Sequence, residues 1–545
     1  MTTTHSSAQT VSPVARLIAL LRLERNDLWV AIVFSVAIGV LSLAAPIATQ
    51  ALVNTVAFGS LIQPLVFLTL LVLGLLAVSA VLQALRFHVV EMLQRRLFVR
   101  MASESVHRLL HARVDVLREN NGPELVNRFL DVVTVQKAGA TLLIDGLSIF
   151  TQTFAGMALL AVYHPWLLAF DAGLLVAVLV VLIPAGHGAI ETAVKESKSK
   201  YALVAWLEET ARNERTFRAT APARFAAERT DSLVQNYLGY RTKHFRIVMR
   251  QLTGSLVLQA IASATLLGVG GMLVIERQLT LGQLVAAELV VAAVLASITK
   301  LAKHLEIFYD LLASLDKLGS LTDLPGEMSG SGSVESTGPA AISMRGPSFH
   351  VDVHPGEKVA LCGLSGSGKS SLIDTICGYR DAHGTSVTFD GVDIRSLKLG
   401  EYRSQTGLVR GVEIFHGSIL DNIRVGRDLS VASMQRTLEQ VGLWSTIQDL
   451  PRGLETILST GGHPLSEGQK QALMIVRAIA GNPRLLIIDE TLDAVQDSAE
   501  RELLTSILFA PDAPWTLLLV TARVDLERRC SRIVEVTRHG LKEVA

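Results

Sequence analysis

The longest apolar stretch of the chain lies near its beginning. No Asp, Glu, Lys, Arg or His occurs between Asp27 and Arg86, and a polar segment, residues 54–64, divides this stretch in two. A helix that crosses a membrane needs about 20 predominantly apolar residues. The stretch therefore predicts two transmembrane helices joined by a hairpin.

Two later regions repeat this pattern. Residues 137–191 predict a second pair of spans, which turns at residues 163–166, where helix breakers stand beside aromatic residues that favour the membrane–water boundary. Residues 251–275 and 279–299 predict the fifth and sixth spans. The alternative is a set of buried core helices in a soluble protein, but six such segments favour a membrane domain.

The distribution of Lys and Arg predicts the orientation of these spans. Both residues are frequent in segments 86–137 and 187–250 and rare in the alternate connections. Because cytoplasmic loops carry an excess of Lys and Arg, we expect an inner (plasma) membrane protein with both termini in the cytosol. Residues 12–26 predict an amphipathic helix on the inner membrane surface.

The two basic segments keep helical spacing of apolar residues, so the spans are expected to continue as helices into the cytosol. Turns are expected at residues 120–123 and near Pro222, where helix breakers interrupt the pattern. Such protruding turns would suit contact with another domain.

Composition agrees with a membrane domain. Charged residues make up 18% of the chain, against roughly a quarter in average soluble proteins. The 50 basic and 50 acidic residues cancel, which gives no support for nucleic-acid binding. Three cysteines exclude a disulfide scaffold and have no metal-binding spacing.

The composition changes after Leu324. Residues 323–341 are rich in Gly, Ser and Pro, which predicts a flexible linker. Residues 342–545 alternate short β-branched runs with helical stretches, as in a P-loop α/β domain. We therefore predict a multidomain membrane protein: a cytosolic tail and surface helix (1–26), an all-α six-helix transmembrane domain (27–322), the linker, and an α/β P-loop NTPase domain.

A phosphate-binding loop opens this second domain. A predicted strand, residues 358–362, leads into G-x-x-x-x-G-K-S, whose glycines allow backbone N–H groups to surround phosphate oxygens. Lys369 would supply positive charge and Ser370 a hydroxyl for Mg²⁺. The residues expected to hold phosphate are Gly363, Ser365, Gly366, Ser367, Gly368, Lys369, Ser370 and Ser371.

An acidic pair marks the other half of this candidate site. The apolar run 485–488 predicts a strand, and Asp489 and Glu490 follow it directly. Asp489 would lie in the Mg²⁺ shell, and Glu490 would polarise an attacking water, since phosphoryl transfer depends on positioning and charge stabilisation. An apolar run before Asp-Glu is weak evidence alone, but it gains weight after the phosphate loop.

The order of these motifs, with Leu465-Ser466-Glu467-Gly468-Gln469 between them, resembles an ABC transporter over nearly the whole chain. The resemblance is to an exporter-type half-transporter, in which six membrane helices are fused to one ATP-binding cassette. It implies ATP and Mg²⁺ as cofactors and a dimer with a second half-transporter. It also implies that Ser466, Gly468 and Gln469 contact the partner's nucleotide, and that turns near 120–123 and 212–222 act as coupling helices.

Several positions depart from this family pattern. Ala522 stands where the family has a histidine that grips the γ-phosphate, and Arg410 stands where it has a glutamine that contacts Mg²⁺. Glu467 replaces a glycine of the signature, residues 493–496 read Asp-Ala-Val-Gln in place of Ser-Ala-Leu-Asp, and an acidic residue is missing at 458–460. The segment before Val351 is too short for the usual adenine-stacking tyrosine.

Two hypotheses follow from these motifs. The first is an exporter subunit that hydrolyses ATP, with Glu490 as catalytic residue, and moves an unidentified solute outward through the bilayer. The second is a degenerate subunit that binds ATP, hydrolyses it slowly and acts as the regulatory half of a heterodimer. A channel-like or sensory protein gated by ATP binding is a further alternative.

Three acidic residues fall within or near the predicted spans, Asp145, Asp171 and Glu288. Acidic side chains inside a membrane are candidates for contact with a cationic solute or a polar cavity. The competing explanation is that each lies near the end of a span.

Overall fold

A computed structural model describes residues 12–58, 62–119, 122–380, 384–537 and 540–544. The chain divides into two compact units. The first comprises Met1–Ala112 and Arg118–Leu324, and the second comprises Arg113–Leu117 and Pro325–Ala545.

The first unit is helical throughout its described residues. A π-helix, Leu142–Gly146, interrupts one of its spans, and two short 3-10 turns lie at Arg128–Leu130 and Thr216–Arg218. The α-helices up to residue 322 are α1 Pro13–Leu23, α2 Arg25–Leu41, α3 Ala44–Phe58, α4 Ile62–His111, α5 Val114–Glu119, α6 Gly122–Asn127, α7 Asp131–Thr141, α8 Leu147–Tyr163, α9 Pro165–Ala185, α10 Ala189–Arg212, α11 Thr220–Ile275 and α12 Leu281–Thr322.

Five helices in the described residues are long and apolar enough to cross a membrane. They are Arg25–Thr55, Leu65–His111, Leu125–Tyr163, Pro165–Ala185 and Thr220–Ile275. The sixth predicted span corresponds to the start of α12, where the described apolar part, Leu281–Ser297, is shorter than these five. The predicted continuation of spans as long helices agrees with α4, α11 and α12.

Local sequence sets the turns between these helices. His164 alone separates α8 from α9, because its extended backbone ends one helix and its ring accepts a hydrogen bond from the N–H of Trp166, while Pro165 takes the first helical position. A capping box of Thr280 and Gln283 begins α12. The turn expected near Pro222 ends at Ala219, and Pro222 lies in the first turn of α11. Of the turn expected at 120–123, residues 120 and 121 lie outside the described residues.

The helix α1 packs on protein along one side. Leu17 and Leu20 contact the apolar cluster that includes Leu315 of α12, and Arg16 Nη1 donates to Asp323 Oδ1 at 3.0 Å. Ile18 is among the apolar residues that remain exposed on α1. The amphipathic pattern of residues 12–26 therefore serves contact with α12 as well as any membrane surface.

One basic residue lies where its position in the sequence does not suggest. Arg86, at the expected start of a cytosolic extension, is only 5% exposed. Its Nη1 donates to Ser35 Oγ at 3.0 Å and to Ser148 Oγ at 2.7 Å. The apolar face of α4 therefore contains a buried guanidinium whose partners lie on α2 and α8.

The second unit is built from short strands and helices. Its strands are β1 Ile342–Gly346, β2 Phe349–Val353, β3 Lys358–Cys362, β4 Ser386–Phe389, β5 Val392–Asp393, β6 Thr406–Arg410, β7 Gly417–Ser418, β8 Ile457–Leu458, β9 Leu485–Asp489, β10 Thr516–Val520, β11 Arg532–Thr537 and β12 Gly540–Glu543. Its helices after residue 325 are α13 Lys369–Ile376, α14 Leu399–Ser404, α15 Ile419–Arg424, α16 Val431–Gln440, α17 Trp444–Asp449, α18 Glu467–Ile479, α19 Thr491–Ala494, α20 Ser498–Leu508 and α21 Val524–Glu527.

The main sheet has the order β12-β11-β3-β10-β9-β6. Four of its five pairings are parallel, and the edge pair of β11 with β12 is antiparallel. Successive residues of β9 enter two different apolar clusters: Leu486 and Ile488 join one, while Leu485 and Ile487 join the other. Both faces of the sheet are therefore buried, which explains why β9 and β10 read as continuous apolar runs. A second, antiparallel sheet has the order β2-β1-β4-β5.

The segment predicted as a flexible linker, residues 323–341, is held against the second unit. Arg403 forms two hydrogen bonds with the carboxylate of Glu327, at 2.6 and 2.9 Å. The N–H of Gly330 donates to the carbonyl oxygen of Leu397 at 3.0 Å. A segment rich in Gly and Ser can be a flexible linker, but the same small residues also allow one backbone to approach another closely. Composition alone does not distinguish the two, and this segment is of the second kind.

We expect Glu327→Ala to release this segment, because it removes a bidentate pair whose side chains are largely buried. Limited proteolysis of the full-length protein in lipid should then cleave between residues 325 and 341 at least about five times faster, as expected if the pair contributes about 1.5–3 kcal/mol. Glu335→Ala, an exposed residue of the same segment, is the matched control and should leave the rate unchanged. Equal cleavage in all three proteins would show that the segment is a free linker.

Candidate nucleotide-binding site

The loop between β3 and α13 forms a cradle of backbone at the end of the sheet. Gly363, Gly366 and Gly368 have φ values of 141°, 78° and 106°, a region that residues with a Cβ rarely adopt. A Cβ on Gly363 would lie 2.4 Å from the carbonyl oxygen of Val536. The glycines predicted from the motif are therefore required by the backbone conformation, and α13 begins directly after them, so its positive N-terminal end faces the cradle.

The polar groups of the loop fit an anion. Lys369 Nζ donates to the carbonyl oxygen of Gly363 at 2.8 Å and lies 3.9 Å from Glu490 Oε1. Ser367 Oγ is buried and has no hydrogen-bond partner among the described residues. A buried hydroxyl without a partner is costly unless a ligand satisfies it. The phosphates of ATP would accept a hydrogen bond from Ser367, and their negative charge would attract the ammonium group of Lys369.

The remaining predicted loop residues differ in exposure. Ser365 and Ser370 are exposed, and the half-buried Ser371 accepts a hydrogen bond from Arg380 Nη1 at 3.0 Å. Ser371 is therefore engaged with protein, whereas the other two remain open to a ligand.

Glu490 occupies a strained position at the end of β9. Its φ of 54° is left-handed, which is uncommon for a residue with a Cβ, and its N–H donates to the carbonyl oxygen of Val520 at 3.0 Å. The side chain remains 61% exposed. Strained backbone at a functional site is typical of groups whose direction matters, and here it turns the carboxylate away from the sheet toward the phosphate loop.

Arg410 is the centre of an ion network at the same end of the sheet. Its Nε donates to Asp489 Oδ2 at 2.6 Å, its Nη1 donates to Asp374 Oδ1 at 2.6 Å, and its Nη2 donates to the carbonyl oxygen of Ser370 at 3.1 Å. Burial alone would lower the pKa of Arg410, but the hydrogen bonds and charges of the two carboxylates outweigh it and raise that pKa. The guanidinium is therefore a permanent positive charge.

This network does not fit the Mg²⁺ site predicted at Ser370 and Asp489. Mg²⁺ binds carboxylate oxygen directly at about 2.0–2.1 Å in octahedral geometry. Asp489 Oδ2 instead accepts a hydrogen bond from a cation, and the side chain of Asp489 is only 5% exposed. Arg410 contacts both residues, and the sequence did not show that it would pair with the expected metal ligand.

Ala522, at the position of the absent histidine, is bonded through its backbone to an acidic residue of a neighbouring helix. Asp493 of α19 accepts hydrogen bonds from Thr521 Oγ1 and, at 2.8 Å, from the N–H of Ala522. The methyl group of Ala522 has no donor for a γ-phosphate. A carboxylate in this loop would also repel a phosphate rather than hold it.

The predicted signature residues lie at the start of α18. Ser466 and Gln469 form a capping box, with each side chain bonded to the other's backbone N–H. A Cβ on Gly468 would lie 2.4 Å from Glu500 Oε2. Glu467 points outward, 67% exposed, and pairs with Lys470 at 3.1 Å. This helix start is therefore acidic, with two carboxylates where the family pattern implies a partner's nucleotide.

Two features of the site were missed or left open by sequence reasoning. Asp374 was missed, although a carboxyl group between Ile373 and Ile376, both fully buried, was a signal that it pairs with a cation. The segment before Val351 proves to be a tight hairpin, in which Pro347 and Ser348 alone join β1 to β2. This turn leaves no room in the chain for an inserted adenine-stacking tyrosine.

The three acidic residues of the spans have different surroundings. Asp171 of α9 is 3% exposed, and its Oδ2 has no partner among the described residues. Asp145 lies in the π-helix, 3.4 Å from His304 Nε2. Glu288 is exposed on α12 beside a cavity of about 80 Å³ that Ser263 also lines. They are separate features rather than one site.

Comparison with known proteins agrees with this architecture. The model of the ABC transporter transmembrane region matches residues 28–298, and the ABC transporter model matches residues 348–493. The described fold superposes on a solved bacterial Atm1-family ABC exporter with ATP bound, with a TM-score of 0.83 over 95% of this chain and 94% of that one. At 19% identity, this likeness shows the fold.

Curated relatives include proteins named ATP-dependent lipid A-core flippase. The chain is 29% identical to that of Paraburkholderia xenovorans over 42% of each chain, and 26% identical to that of Desulfotalea psychrophila over 77% of this chain and 76% of the relative. Against three curated relatives, the Paraburkholderia protein among them, the match spans only 32% to 42% of the relative's length.

A membrane domain of long helices fused in one chain to a P-loop domain with a signature helix defines the architecture of the ABC class. The two matched models cover most of the chain in the order that a half-transporter requires. The chain belongs to the ABC transporter family, with its transmembrane region and its ATP-binding domain in one polypeptide.

We expect Lys369→Met to weaken ATP binding roughly tenfold to a hundredfold, because a hydrogen bond to a charged group contributes about 1.5–3 kcal/mol. Equilibrium titration of the full-length protein in lipid nanodiscs with fluorescent ATP measures this change. Lys398→Met, which removes an exposed lysine paired with Glu401, is the matched control. Unchanged affinity in Lys369→Met would place the nucleotide elsewhere.

Proposed function

We propose that this chain is the degenerate half of a heterodimeric ABC exporter: it binds ATP at its own phosphate loop, hydrolyses it slowly, and moves a solute outward together with a second half-transporter. The observation that carries the proposal is the combination of an intact phosphate cradle with Arg410 on Asp489 and Ala522 beside Asp493. ATP binding requires groups that hold the phosphates, whereas hydrolysis also requires groups that orient the γ-phosphate and the attacking water. This site has the groups for binding.

ATP binding is supported by groups that act on the phosphates directly. The glycine backbone, Lys369 and the unpartnered hydroxyl of Ser367 favour an anion at the N-terminal end of α13. These groups require no other residue of the site to change position. The nucleotide would therefore be held even where catalysis is impaired.

Slow hydrolysis follows from what surrounds Glu490. Removing one group that stabilises charge in a transition state commonly costs on the order of 10²–10³ in rate. Ala522 removes such a group, and the carboxylate of Asp493 adds negative charge in the same loop. Glu490 keeps its position but lacks the partners that would orient the γ-phosphate.

A heterodimer is supported by the charges around the signature residues at the start of α18. Glu467 and Glu500 place two acidic groups around Gly468, and burial with Asp497 nearby raises the pKa of Glu500. A partner whose own phosphate loop is more basic would tolerate this surface better than a second copy of this chain. The Lys and Arg distribution supports a plasma-membrane location with both termini in the cytosol.

We expect the full-length protein, purified alone in lipid, to hydrolyse ATP about 10²–10³ times more slowly than its partner-containing complex. Phosphate release measures the rate, and bound fluorescent ATP confirms that the site is filled. The paired substitution Arg410→Gln with Ala522→His restores the family residues and should raise turnover. Fast turnover of the unmodified chain alone, abolished by Glu490→Gln, would contradict the proposal.

The complex isolated from the native membrane gives a second test. If the partner's site carries hydrolysis, Glu490→Gln in this chain should leave the turnover of the complex within about twofold of its original value. The equivalent substitution in the partner should abolish turnover. Loss of most activity on Glu490→Gln here would favour the first hypothesis, a competent exporter subunit.

A further inference from the structure

We propose that the guanidinium of Arg410 replaces the divalent cation in this site, so that the chain binds ATP without requiring Mg²⁺. This inference rests on the ATP binding proposed above and concerns how that nucleotide's charge is balanced. It assigns a role to an arginine that stands where the family pattern has a glutamine.

The first support is the geometry of the two carboxylates. Asp489 is the residue that the family pattern assigns to the metal, and Arg410 Nε lies 2.6 Å from its Oδ2. The same guanidinium reaches Asp374 Oδ1 at 2.6 Å. Both carboxylates are largely buried, at 5% and 10% side-chain exposure, so their charges are screened little by solvent and hold the guanidinium in place.

The second support is the position of this charge relative to the phosphate loop. Arg410 Nη2 donates to the carbonyl oxygen of Ser370, the residue whose hydroxyl was predicted to bind the metal. A guanidinium has five N–H donors, and three are used by these contacts. The contact with Ser370 holds this positive charge directly against the residue that follows Lys369 at the start of α13.

The third support is that Arg410 and a divalent cation would compete for the carboxylate of Asp489. A divalent cation bound to Asp489 would have to displace Arg410 Nε and would then lie within a few ångströms of a second positive charge. A glutamine at this position, as in the family, carries no charge and offers a carbonyl oxygen to a metal. Arginine offers only donors, so it cannot coordinate the ion that it replaces.

Asp374 completes the arrangement. An acidic side chain next to a phosphate loop would repel ATP unless a cation neutralised it. Arg410 supplies that cation while it also contacts Asp489, so the three residues form one hydrogen-bonded unit.

The experiment measures the affinity of the full-length protein in lipid nanodiscs for fluorescent ATP, once with excess Mg²⁺ and once with EDTA. The dissociation constants of the unmodified protein should agree within about threefold. The double variant Arg410→Gln with Asp374→Asn removes both charges of the pair and so avoids an unpaired buried acid. It should bind at least about tenfold more weakly in EDTA than in Mg²⁺. Arg436→Gln, an exposed arginine of α16, is the control and should behave as the unmodified protein.

The possible outcomes separate this inference from the proposed function. ATP binding that needs Mg²⁺ in the unmodified protein would overturn the role of Arg410 but leave the nucleotide site intact. Binding that is insensitive to Mg²⁺ in the double variant as well would also overturn it, because the charge would then come from another group. Absence of binding under both conditions would overturn the ATP site itself. Mn²⁺ resonance gives an independent readout: with ATP, the double variant should immobilise Mn²⁺ and the unmodified protein should not.

Discussion

The parallel register of the central sheet is the constraint on which the second unit depends. Neighbouring parallel strands end at the same edge, and here β3, β10, β9 and β6 bring their carboxyl ends together. Val520 and Arg410 both pair with Asp489 in this register. Residues far apart in the chain therefore meet around one loop, and a shift of one residue in any strand would turn these side chains into the opposite face.

At this edge, the protein balances charge with its own side chains. Arg410 satisfies Asp489 and Asp374, while Asp493 satisfies Thr521 and the N–H of Ala522. The departures at Arg410, Asp493 and Ala522 therefore have partners in the structure and form two hydrogen-bonded networks. Such networks stabilise one arrangement of the side chains at this edge of the sheet.

The membrane unit follows a different rule, because helices crossing lipid must satisfy their backbone groups internally. Length and apolar composition therefore predicted six spans, and five helices of the described residues are long and apolar enough to cross a membrane. Length and composition were insufficient for the polar residues between the spans: Arg86 lies buried among α2, α4 and α8, and Asp145 lies in a π-helix. Composition was also insufficient for the Gly/Ser/Pro segment after Leu324, because a flexible linker and a segment packed closely against a domain can have the same composition.

The sequence by itself determined the order of spans, the phosphate loop and the acidic pair, because these depend on local spacing and on backbone conformations that only particular residues adopt. It also showed that Arg410 and Ala522 depart from the family. Only the tertiary structure decided what those departures do, because Arg410 meets Asp374 and Asp489 across 36 and 79 residues of chain. Pairing at such distances is set by strand register and helix packing, which no local pattern of residues encodes.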